Sequence, residues 1–152
     1  MFTVFFNQDV LIMVDMLPKG STITGTYNAN TVLSQVVYHL QEIKGSRLQT
    51  EKIHLLHDKS SSHKTQLVLD YLAENRIKVL PHPPYSPDLA TCGFWLTNRI
   101  VESHFNRVQD LAKAVNLKLR GISQNDYHTA FNKWISRLIK CIQSGRAYFE
   151  GQ

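Results

Sequence analysis

Asp58 stands where an apolar run, Ile53-His54-Leu55-Leu56, gives way to polar residues, with His57 directly before it and His63 five positions after it. A carboxylate flanked by two imidazoles can ligate a divalent cation or exchange protons with a substrate. The end of a strand is also where α/β sheets present such groups to ligands. The same residue types serve as turn formers and caps, so three readings stay open: a metal ligand set, an acid–base pair, or a strand end. Other chemistries fail on pattern. Ser60-Ser61-Ser62 lacks the glycines of a nucleophile elbow. No phosphate-binding glycine loop or dinucleotide fingerprint occurs, so no small-molecule cofactor is expected. Cys92 and Cys141 stand too far from each other, and from any paired histidine, to suggest zinc.

The elements that must position Asp58 are legible from periodicity. Phe2 to Phe6 and Val10 to Leu17 are apolar runs around Asn7-Gln8-Asp9, a hairpin pattern, and Thr22 to Thr26 offers a third strand. From Asn30 the period changes: Leu33, Val36, Val37, Leu40 and Ile43 predict a helix that Gly45 ends. The run at residues 53–58, helical spacing of Leu67, Val68, Tyr71 and Leu72, and Lys78-Val79-Leu80 make a β-α-β unit, whose strands must run parallel. A proline-rich stretch from Pro81 to Trp95 follows, too rigid for a linker. Val108 to Gly121 predicts one amphipathic helix. Ser123-Gln124-Asn125-Asp126 resembles a capping box opening another, with Tyr127, Ala130, Phe131, Trp134, Leu138 and Cys141 as its apolar stripe. The expectation is an α/β fold, a meander plus parallel crossover strands in one mixed five-stranded sheet flanked by helices.

The chain has 152 residues, 43% of them hydrophobic, which is enough for one sizeable core, so a single domain spanning 1–152 is expected. A formal net charge of +5 permits nucleic-acid binding without requiring it. The apolar N-terminus is interrupted at Asn7 too soon for a spanning helix or signal peptide, and no membrane partner is expected.

Four segments, in order, carry a family resemblance. They are Leu17-Pro18-Lys19-Gly20-Ser21-Thr22-Ile23, then Leu55-Leu56-His57-Asp58 with His63, then Val79 through Ala90, and the ending from Trp134 through Tyr148-Phe149-Glu150-Gly151. Together they resemble the catalytic domain of mariner-type transposases, of the Tc1/mariner superfamily, a domain also found fused to histone-lysine methyltransferases. The resemblance implies an RNase H-like fold. It implies DNA cleavage and strand transfer, with three carboxylates holding two Mg²⁺ or Mn²⁺ ions. It places the second acid on Asp58, the third on position 93, thirty-four residues further on, and the first on position 7. Those positions hold Gly93 and Asn7, so two of the three acids are replaced and metal binding is expected to be weak or lost. Lys59 adds a positive charge beside Asp58. Asp9, Asp15 and Asp88 are the acids that could be asked to substitute.

The family's helix-turn-helix domains do not precede Met1, so terminal-repeat recognition is expected to be absent and DNA contact to be weak, non-specific and salt-dependent. A homodimer and a nuclear location complete the expectation. The alternative is a domesticated module that binds DNA or a protein without catalysis.

Overall fold

A computed structural model describes residues 2–18, 20–58, 60–101 and 108–145. The elements divide into two compact units, one of residues up to Phe5 together with Ile12–Pro84, the other of Phe6–Leu11 together with residues from Tyr85 onward. Strands β1 (Phe2–Phe6) and β2 (Leu11–Met16) pair through the short connection predicted for them.

In the first unit, helical structure begins five residues earlier than the apolar period suggests. Gly25–Tyr27 (α1) runs through a π-helical stretch, Asn28–Leu33, into Ser34–Lys44 (α2). The expected third strand at Thr22–Thr26 is therefore not formed. Its threonines are used differently: Thr24 is extended at φ −90° and its hydroxyl accepts a hydrogen bond from the Tyr27 N–H at 3.1 Å, as a helix cap does. A hydroxyl on a β-branched residue serves a cap as readily as a strand, and here the cap prevails.

The helical run presents two adjacent stripes. Ala29, Leu33 and Val37 pack with Val68, Leu72 and Ile77, and Val32, Val36 and Leu40 pack with Met13. The i, i+4, i+8 spacing places each trio on one face. Ile43, expected in the stripe, is half exposed because the helix has passed the end of the core.

The β-α-β unit forms as expected, in miniature. Strand β3 (His54–Leu55) and strand β4 (Lys78–Val79) pair in parallel, His54 opposite Lys78 and Leu55 opposite Val79, with α3 (Gln66–Glu74) crossing between. The Lys78 N–H donates to the Ile53 carbonyl at 3.0 Å and the Leu80 N–H to the Leu55 carbonyl at 2.8 Å, alternate residues of the second strand facing the first. In place of one five-stranded sheet, the described residues form two separate two-stranded ladders.

The second unit contains a 3₁₀ turn at Pro87–Leu89, a π-helical turn at Cys92–Leu96, and helices α4 (Thr97–Val101), α5 (Val108–Arg120) and α6 (Gln124–Gln143). Phe6 brings its ring within 5.7–6.1 Å of Trp95, Tyr127 and Phe131, centroid to centroid. Val115, Leu119, Tyr127 and Ala130 are buried. The capping box is present: the Ser123 hydroxyl accepts from the Asp126 N–H and the Asp126 carboxylate accepts from the Ser123 N–H. Asp126 also receives Arg99 at 2.7 Å. The proline-rich stretch is fastened to α6 by two side-chain donors, Trp134 Nε1 to the Leu89 carbonyl at 2.8 Å and Arg137 Nη1 to the Asp88 carbonyl at 3.2 Å.

Candidate functional site

Parallel pairing of β3 carries the chain out at Leu55, and three residues later Asp58 projects a carboxylate that is 72% exposed. Its Oδ1 accepts the Ser60 N–H at 3.0 Å, a local turn bond that fixes the carboxylate's direction. His57 Nδ1 lies 2.7 Å from the Asp58 carbonyl oxygen. Since a carbonyl only accepts, that nitrogen carries a ring proton.

His63 is oriented by a residue that the sequence did not single out. Asn28, 2% exposed, points its Nδ2 at both the Ser62 carbonyl, 3.2 Å away, and His63 Nδ1, 2.7 Å away. The carbonyl identifies the amide nitrogen as donor, so His63 Nδ1 accepts and the neutral ring holds its proton on Nε2. That Nε2 faces Asp58 Oδ1 at 3.4 Å, longer than a well-formed hydrogen bond. Burial is the largest influence on His63 and pushes it below the usual imidazole range; His57 adds to this and Asp58 opposes it. A neutral His63 with its proton turned to Asp58 orients the carboxylate and is not set up to ligate through that nitrogen.

His57, Asp58 and His63 nonetheless form a metal-capable group, with ligand atoms within 4.8 Å of one another. The His57 and His63 rings lie 4.7 Å apart, centroid to centroid. Lys59 lies outside the described residues.

The other two positions assigned by resemblance belong to the second unit. The Asn7 Oδ1 accepts the N–H groups of Asp9 at 2.8 Å and Val10 at 2.9 Å, so its amide closes the hairpin turn. Gly93 lies in the π-helical turn, and a Cβ built there meets the carbonyl group of Pro87, 2.7 Å from its carbon and 2.9 Å from the Pro87 Cβ. Real Cβ atoms do not approach that closely, so a side chain at 93 requires the Pro87–Leu89 turn to move.

Two of the three substitute acids have side-chain partners and the third is buried. Asp9 pairs with His128 Nε2 at 3.0 Å. Asp15 Oδ1 receives the Tyr27 hydroxyl at 3.0 Å. Asp88 is buried at 4% exposure, with its Oδ1 lacking a hydrogen-bond partner among the described residues.

A protein-family model described as DDE superfamily endonuclease matches residues 7–111. The chain is 32% identical over 154 residues to the human histone-lysine N-methyltransferase SETMAR, covering 99% of this chain and 22% of that protein. It is 26% identical over 158 residues to the Mariner Mos1 transposase of Drosophila mauritiana, covering 99% of this chain and 45% of that protein. The chain thus spans less than half the length of either relative. Among solved structures, the crystal structure of the catalytic domain of Mos1 mariner transposase superimposes with a TM-score of 0.86 at 25% identity, covering 98% of this chain and 75% of that one. Other Mos1 structures of comparable likeness contain Mg or Mn. The fold is that of the Mos1 catalytic domain, RNase H-like, with short strands where a longer sheet was expected.

Proposed function

The chain belongs to the DDE superfamily of endonucleases, and from that premise we propose that it is a mariner-type transposase catalytic domain, spanning residues 1–152, whose metal centre is impaired. Gly93 under the Pro87 carbonyl carries this reading, because the third-acid position lacks both the carboxylate and the room for one. The Asn7 amide, engaged with two backbone N–H groups, supports it at the first position. Two divalent cations require charged oxygen ligands, and Asp58 is then a single carboxylate where three are needed. The residues at these positions do not fit a two-ion centre, and no cleavage step is derived through one. Asp58 remains the residue on which any residual cation binding depends, with His63 and Asn28 as its positioning residues.

DNA is the partner proposed, bound weakly through charge, together with a second copy of the chain and a nuclear location, all by analogy with relatives that act as transposases.

Calorimetric titration with Mn²⁺ and Mg²⁺, beside a nicking assay on supercoiled DNA, tests the reading. The expected result is no saturable binding at millimolar metal and no nicking. Saturable Mn²⁺ binding with nicking, both abolished by Asp58→Ala, would overturn it.

A further inference from the structure

Among the described residues, β1 pairs only with β2 and β3 only with β4, so β1 and β3 each keep one unpaired edge. Those two strands border the same core. Phe5 of β1 and Leu55 of β3 pack on one cluster that contains Leu33, Val68 and Leu72, and both line a small cavity over those residues, beside His57. The outer strands stay away from it: Lys78 and Val79 of β4 are exposed, and Met13 of β2 belongs to the other cluster. No hydrogen bond joins β1 to β3 among the described residues.

The backbone groups on the two open edges follow from the bonds already made. The Asn7 N–H donates to the Val10 carbonyl at the hairpin end, so by alternation Phe5 and Thr3 face β2, while Val4 and Phe2 turn their N–H and C=O outward. In β3 the Ile53 and Leu55 carbonyls receive Lys78 and Leu80, so the backbone groups of His54 point away from β4. All five residues of β1, and Leu55, are only partly buried, whereas strands inside a sheet are covered. Two unpaired edges over one apolar floor are the two sides of a site for an extended chain.

We infer that the space between β1 and β3 receives an extended segment of another polypeptide, about five residues long to match β1, which joins the two ladders into one five-stranded sheet. Its inward side chains fall on Leu33, Val68 and Leu72, so those positions in the partner are β-branched or aromatic. A second copy of this chain does not suit, because each of its own strands already holds a place in a ladder. The site is independent of the metal centre and requires neither DNA nor catalysis.

The test is amide hydrogen exchange, followed by NMR, on the 152-residue chain alone and with blocked peptides of about seven residues. The peptides carry valine, isoleucine or phenylalanine at alternate positions, threonine between them and a lysine at each end. The Val4 and His54 N–H groups are expected to exchange freely in the chain alone and to slow by about tenfold or more at saturating peptide, with smaller changes at Phe5 and Leu55. The same peptides with a central proline should protect neither, since a ladder donor is missing. No protection by any peptide, or equal protection by the proline forms, would overturn the inference. Slow exchange at Val4 and His54 in the chain alone would overturn it too: in a monomer by sedimentation the edges are closed, and in a dimer a second copy fills the site.

Discussion

At Gly93 two losses coincide that substitution can separate. Replacing glycine removes the lack of a side chain but not the crowding by Pro87, so restoring an aspartate here differs from restoring one at position 7. Gly93→Ala and Gly93→Asp are both expected to destabilise the fold by about 1–3 kcal/mol in urea denaturation, through overpacking against backbone. Asn7→Asp should be nearly neutral, because a carboxylate oxygen can accept the same two N–H groups. Gly93→Ala as stable as the unaltered chain would show that the turn yields and that the position is open after all. That a glycine stands at the position proposed for the third acid was visible in the sequence once the family spacing was applied. The crowding was not, because it arises from a turn that folds Pro87 back over a residue six positions away. Asn28 was hidden for a similar reason: its partners, Ser62 and His63, are more than thirty residues distant, and an asparagine beside a helix start reads first as a cap.

Among the elements, those with strong periodicity were legible and those defined by non-local choices were not. The stripes of α2 and α3, the capping box of α6 and the parallel sense of β3 and β4 all follow from local rules. The lengths of the strands do not, since a ladder lasts only while both partners can donate and accept. Helix α6 also carries a pH-dependent anchor in Tyr127. Burial pushes its phenol up to about 12, Asp126 adding and Arg99 opposing. The folded state thus favours the neutral phenol, so its stabilisation is complete below the ordinary value near 10 and is lost as pH rises from about 10 to 12. Denaturation midpoints of the unaltered chain should fall more steeply across that window than those of Tyr127→Phe. Parallel profiles would place the late proton elsewhere.

On the scale of the whole molecule, β1 supplies both units. Phe5 packs in the clusters of the first, and Phe6, one residue on, lies among the aromatic rings of the second. Both tryptophans, Trp95 and Trp134, belong to the second unit and report on it alone. Phe6→Ala should cost about 3 kcal/mol and shift the native tryptophan emission, whereas Phe5→Ala should destabilise without that shift. Identical spectra for the two variants would contradict the division.

That division has a consequence for synthesis. The Phe6–Leu11 segment is translated before the rings and helices it packs against, which follow only after the seventy-three residues from Ile12 to Pro84. The first unit can close while its leading hairpin still holds out Phe6 for partners not yet made. Completion of the second unit therefore awaits the residues from Tyr85 onward, and a nascent chain stalled before Trp95 exposes an aromatic side chain to chaperones.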